Sequence, residues 1–339
     1  MKETSIRSTV YAMMVAIVTL SSCAGEESEI QQSPPVPITV TVNNSNSPQT
    51  RDDETTPYNS IDDLQNTGFG LYCQPGTLAP LMNNQKFTYS GNGWTYSPIK
   101  YWPSGTDTKL NFIAYAPYTT TNKVSYTSAT SEFTYQYTVN TESPFDNIDL
   151  CTAKALDKTS SDGEVDLSFQ HQTARLDVKV GITNATSGNK YFIKSVTINT
   201  NSISQATLYF SPNENEWRYT PGTLPITYNL NSLSYFNADV RDPVFESVDE
   251  FNSSTSSSGL TTDFQRIFLE SKTLTVLPIC NLDPFTITVN YVEYSVSGSD
   301  LITINKTASG TVVILSYTGG HLHTLNIQID PSSSAIVTP

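Results

Sequence analysis

Apolar and polar residues alternate in steps of two through almost the whole of this 339-residue chain, and no stretch sustains a 3.6-residue period. A period of two sends alternate side chains to opposite faces of an extended backbone, so each such stretch reads as a strand with one face toward a core. The clearest case is Val36-Pro37-Ile38-Thr39-Val40-Thr41-Val42, a half-buried strand over 36–42. Further strands are predicted over 69–73, 94–96, 110–116, 132–139 and 148–153. The second half adds 164–169, 174–181, 192–200, 206–210, 273–279, 285–294, 311–317 and 321–329. Ser60-Ile61-Asp62-Asp63 offers a cap and one short helical turn. The polar stretch 154–163 ends in the turn residues Ser160-Ser161-Asp162-Gly163 and marks a boundary between two domains, 36–158 and 164–331. The expected fold is all-β, two antiparallel β-sandwich domains in tandem, followed by a short tail over 332–339.

Residues 1–22 have the make-up of an export signal. Lys2 and Arg7 precede an apolar run over 10–20 that is too short to span a bilayer, and Ser21-Ser22 lead into Cys23. A cysteine at the cleavage point makes this look like a bacterial lipoprotein signal, cut before Cys23 and acylated there. An ordinary signal peptide with an incidental cysteine is the alternative. Two or more acyl chains, at about 0.8 kcal/mol per buried CH₂, hold a chain stably at a membrane surface. Residues 24–35 are polar, acidic and end in two prolines, which reads as an extended tether. Lys2, Glu3 and Arg7 together contribute +1 to the formal net charge of −14, so the mature chain carries −15. An acidic chain of this kind is poorly suited to nucleic acid or to anionic headgroups. Beyond Cys23, Cys73, Cys151 and Cys280 remain; an odd count permits at most one intrachain disulfide, and all three read as small buried residues.

Residues that could carry chemistry are sparse. His171, His321 and His323 are the only histidines. His321 and His323 fall on one strand face, but no Cys, Asp or Glu cluster near them completes a metal site, so neither a metal nor a cofactor is expected. Acidic residues, as in 239–250, lack the spacing of a calcium loop. The chain has no G-x-S-x-G, no phosphate-cradling glycine loop and no Cys/His pairing in a catalytic context, and it is not read as an enzyme. A distant carboxylate pair leaves no local signature, which keeps an extracellular hydrolase as a remote alternative. Trp94, Trp102 and Trp217 could stack on sugars, but aromatics in small β-domains more commonly fill the core.

Trp94, Tyr101-Trp102-Pro103 and the run Leu110-Asn111-Phe112-Ile113-Ala114-Tyr115-Ala116-Pro117-Tyr118 resemble the W…YWP…FxAYxPY pattern of fimbrillin-like proteins of Bacteroidales bacteria. Asp149-Leu150-Cys151-Thr152-Ala153 and the run over 165–180 resemble that family's DLLxA and VxLxFxHxxAxLxVxV segments. The four motifs stand in the family's order and cover most of the mature chain. The resemblance implies a type V pilin or minor fimbrial subunit built of two transthyretin-like sandwiches. It also implies export as an outer-membrane lipoprotein before incorporation into a fimbrium on the cell surface. His171 then reads as a hydrogen-bonded structural histidine.

Family members that polymerise are cut after an arginine in the loop behind the first strand. Here the match is Arg51, the only basic residue between Arg7 and Lys86, in a loop over 43–57 without an apolar residue. A solvated arginine in a loose loop is the alternative, although an exposed polar loop is where proteases cut. Cleavage would remove Val36, Ile38, Val40 and Val42, whose burial is worth at most roughly 6–12 kcal/mol. The groove left behind, edged by unpaired backbone, would take a strand from another subunit. The tail offers only Ala335–Val337 as a strand to donate, short of the usual five or six residues, so a tip-like position is expected. The Ser/Thr-rich stretch 247–263 would then be an exposed loop near a surface that meets a host or bacterial ligand. A non-polymerising lipoprotein that keeps its first strand and binds a glycan or host ligand is the competing reading.

Overall fold

The alternating segments pair into four sheets in the computed structural model, which describes residues 34–43, 61–76, 78–104, 107–200, 204–220, 226–254, 259–269, 273–278, 283–314 and 318–337. The export signal, Cys23, most of the tether, Arg51 with its loop from 44 onward, and Cys280 lie outside the described residues. The protein is all-β, as the alternation requires.

A six-stranded antiparallel sheet runs in the order Gln170–His171, Cys151–Lys158, Leu110–Ala116, Phe69–Pro75, Met82–Tyr89, Trp94–Thr95. Its two central strands are buried on both faces, which explains their nearly unbroken apolar sequences. Phe69, Leu71, Cys73, Phe112 and Ala114 enter one core, while Tyr72, Ile113 and Tyr115 enter another. Met82–Tyr89 escaped the period-two reading because its inward residues, Met82 and Phe87, are an odd number of positions apart. A bulge opposite Leu71 and Cys73 reconciles them, and Asn84 sits there at a φ of 49°.

A four-stranded sheet joins the hairpin Val124–Thr127/Glu132–Thr138 to the hairpin Gln205–Phe210/Asn215–Tyr219. It draws strands from both sides of the polar stretch 154–163. That stretch itself begins as strand: Cys151–Lys158 turns Lys154 and Asp157 outward and buries Ala153 and Ala155. A single core runs from Tyr115 and Phe133 to Val178, Ile198, Ile287 and Ile327, so packing is shared across the expected boundary.

The largest sheet has the order Ile226–Leu230, Lys190–Thr200, Asp283–Ser297, Asp300–Ile314, Ala335–Val337, Leu322–Asp330, Ala174–Ile182, Gln265–Arg266, with Leu274–Val276 also paired to Ala174–Ile182. Its long hairpin was expected as two separate strands over 285–294 and 311–317. Instead the pairing continues to Ser297 and Asp300, where Ile302 and Ile304 are exposed and give no inward pattern to read. Part of the stretch 247–263, expected as an exposed loop, is helical. Val248–Ser253 is a short helix, capped by Ser247 Oγ accepting the Glu250 amide, and it buries Phe251. The short helix expected near residue 61 is present as Ile61–Thr67.

The tail strand Ala335–Val337 has the extent read from the sequence, and it lies inside the large sheet. It pairs antiparallel with Leu322–Asp330 and parallel with Asp300–Ile314, there at the single register position Ser309↔Ala335. Gly310 makes room for it: a Cβ there would stand 2.7 Å from the Cβ of Ile336 and 2.8 Å from its carbonyl oxygen.

Candidate functional site: the first-strand groove

The segment 36–42 lies between two stretches of chain that are far apart in sequence. Its first half runs antiparallel to residues 100–102: the Ile38 amide donates to the Lys100 carbonyl at 2.9 Å, and the Trp102 amide donates to the Val36 carbonyl at 2.9 Å. Pro37 stands opposite Tyr101 between those two bonds, where its missing N–H costs no ladder hydrogen bond. The second half, Val40–Val42, runs parallel to Val165–Leu167. There the Val165 amide donates to the Thr39 carbonyl at 2.9 Å, and the Asn43 amide donates to the Leu167 carbonyl at 3.0 Å. Two side chains add to this. The Tyr96 hydroxyl donates to the Ile38 carbonyl at 2.9 Å, and the Thr41 hydroxyl donates to the Asp166 carboxylate.

Of the four apolar residues expected to face inward, the groove takes two in full. Ile38 is 1% exposed and Val40 5%, whereas Val42 is half-buried and Val36 is 50% exposed. Val36 therefore stands at the mouth and contributes its carbonyl rather than its side chain. The groove is floored by Phe69, Leu71, Phe87, Trp102 and Phe112 and walled by Val165 and Leu167. Phe69 and Phe87 stack at 4.8 Å, and Trp102 meets Phe112 edge-on at 5.9 Å. The motif Tyr101-Trp102-Pro103 thus covers this core with Trp102 and leaves Tyr101 outside.

The three tryptophans are all engaged in packing. Trp94 lies half-buried against Phe69 and Tyr89, and Trp217 packs edge-on against Tyr137 while its indole N–H donates to the Gln172 carbonyl at 2.8 Å. Cys73 and Cys151 carry free thiols, and burial pushes the Cys73 thiol well above its usual range. The rings of His321 and His323 lie 6.4 Å apart, and His323 Nε2 accepts the Thr318 amide. The wall residues Asp166 and Lys100 and the clasp residue Tyr96 were not singled out from the sequence. Asp166 lies in the 165–180 motif, and Tyr96 and Lys100 lie in the run from Trp94 to Pro103, but nothing in those motifs assigns them to the groove.

Residues 50–338 match the fimbrillin-like family. The chain belongs to that family. Its relatives include the fimbrium subunit Fim1C of Phocaeicola vulgatus, 25% identical over 305 residues, spanning 73% of this chain and 79% of the relative. A fimbrial protein from Bacteroides vulgatus, solved by crystallography, shares the fold with a TM-score of 0.67 at 20% identity, covering 89% of this chain and 97% of that one. The fimbrillin-like family is one of fimbrial structural subunits rather than of enzymes. Among the described residues no helix is long and apolar enough to cross a membrane.

Proposed function

We propose that this chain is a minor, tip-like subunit of a cell-surface fimbrium, made as an outer-membrane lipoprotein on Cys23 and cut after Arg51. Loss of the first strand opens the groove to a strand from a neighbouring subunit, which adds to the sheet by main-chain hydrogen bonds and fills the sites of Ile38 and Val40. The observation that carries this reading is the way the first strand is held. It enters the core through two side chains, pairs with two segments that do not pair with each other there, and leads directly into the loop bearing Arg51. The tip-like assignment draws on the tail, whose three-residue strand is already seated between two strands of its own sheet. A role in adhesion, by contact with a host or bacterial surface, follows from that position.

N-terminal sequencing of the protein taken from its native cell surface tests the scheme. A mature form beginning at Asp52 is expected. A surface form beginning at Cys23 would instead mean a lipoprotein that keeps its first strand and does not accept another.

A further inference from the structure

Away from the groove, the pairing of Gln170–His171 with Cys151–Lys158 sets His171 directly opposite Cys151. Asp149 lies two residues before Cys151, a spacing that returns a strand to the same face. The result is three donor atoms from three residues within 4.8 Å of one another. His171 Nδ1 stands 3.2 Å from Cys151 Sγ and 2.8 Å from Asp149 Oδ1. A single ring nitrogen therefore faces both a thiol and a carboxylate. A proton on that nitrogen can be shared well with only one of them, whereas a cation in its place would bind all three.

The remaining contacts orient the carboxylate. Thr173 Oγ1 donates to Asp149 Oδ1 at 2.8 Å, and an Arg175 guanidinium N–H donates to Asp149 Oδ2 at 3.1 Å. Such outer contacts hold a ligand carboxylate in one pose and set its basicity. The His171 and Asp149 side chains are 9% and 20% exposed, so the cluster lies close to the surface. Thiolate sulfur, imidazole nitrogen and carboxylate oxygen together suit Zn²⁺ in tetrahedral geometry better than Ca²⁺ or Mg²⁺, which prefer oxygen.

We propose that Asp149 Oδ1, Cys151 Sγ and His171 Nδ1 form a binding site for a divalent transition-metal ion of the zinc class. On binding, the thiol releases its proton to solvent, the imidazole binds through Nδ1 in its neutral form with its proton carried on Nε2, and bonds from the ion to sulfur, nitrogen and oxygen form. The ion fastens residues 170–171 to the strand Cys151–Lys158. Because Val165–Leu167 lies only three residues upstream of Gln170, that clamp stiffens one wall of the first-strand groove. This last consequence rests on the groove reading; the metal site itself does not.

The test uses the purified full chain, stripped of metal and titrated with Co²⁺ as a spectroscopic probe. A thiolate-to-cobalt charge-transfer band is expected to grow in and saturate, and Zn²⁺ should abolish it by displacement. Cys151→Ser, which keeps the size of the side chain, should remove the band, while Cys73→Ser and Cys280→Ser should retain it. Asp149→Asn should weaken Co²⁺ binding by more than the roughly 10–100-fold that loss of an outer partner costs. Zn²⁺ should raise Tm in the parent chain and not in Cys151→Ser. A titration without a thiolate band, or a band that survives Cys151→Ser, overturns the assignment. If Cys151→Ser does not fold, the parent titration and the two other cysteine variants still decide it. N-terminal sequencing of the surface form bears on the groove alone, so the two proposals fail separately.

Discussion

Replacing Ile38 by alanine is the sharpest probe of how the first strand is held. Burying Ile38 and Val40 in full and Val42 by half contributes about 4–7 kcal/mol, at about 1.5–3 for a fully buried side chain. The four backbone hydrogen bonds described above and the Tyr96 clasp add about 2–8 kcal/mol at about 0.5–1.5 each. Ordering the seven residues 36–42 costs about 7–14 kcal/mol at about 1–2 per residue. The ladder bonds of Val40–Val42 to Val165–Leu167 come on top of these, so the strand stays seated by a margin that one buried side chain can remove. Once the loop is cut, the strand becomes a separate molecule with little margin. Ile38→Ala removes about 2–5 kcal/mol of that hold, a weakening of roughly 30-fold or more. Val36→Ala, at a half-exposed mouth position, should change it by less than about 0.5 kcal/mol.

The assay is cleavage of the folded chain with an arginine-specific protease, followed by size-exclusion chromatography. Mass spectrometry then measures how much of the peptide ending at Arg51 stays with the main body. Retention should fall steeply in Ile38→Ala and match the parent in Val36→Ala. Equal retention in the parent and Ile38→Ala, or equal loss in both variants, would refute the account of the groove.

Three further outcomes are expected. Gly310→Val should force Ile336 away and unseat the tail strand, costing about 1–3 kcal/mol by overpacking; hydrogen exchange would show lost protection at Ala335–Val337, and unchanged protection would contradict the close approach. The Asp330 carboxyl is held at about 2, below its usual value near 4, by the Ser332 hydroxyl and amide at the turn into the tail. A lowered carboxyl gives stability that is complete above the usual value and is lost as pH falls through its folded value, so tail protection should drop between about pH 4 and pH 2. A drop confined to pH 5–7 would assign the effect to another group. Cys23→Ala should abolish metabolic labelling with a fatty acid; undiminished labelling would remove the lipid anchor from the scheme.

Some of this molecule is written locally. Strand type follows from spacing alone: Leu110–Ala116 has the bounds that its apolar run predicts, and Ala174–Ile182 and Leu322–Asp330 shift from expectation by about one residue at their ends. The two inward residues of the first strand, Ile38 and Val40, and the three-residue extent of the tail were equally legible, because side-chain alternation and proline act within a few residues. Partner choice was not legible. Backbone N–H and C=O groups are the same in every strand, so nothing in 36–42 names Lys100 or Val165 as its neighbour. Val36 satisfies the alternation as well as Ile38 does, yet it lies half in solvent because the floor of the groove stops short of it. Glu132–Thr138 and Gln205–Phe210 share a sheet across the polar stretch 154–163, a pairing that polarity gave no hint of. The meeting of Asp149, Cys151 and His171 likewise depends on one register, His171 opposite Cys151; a slip by one residue would send the imidazole to the other face of the sheet. Local spacing determined which residues can face inward, and long-range pairing decided which of them are buried and which of them meet.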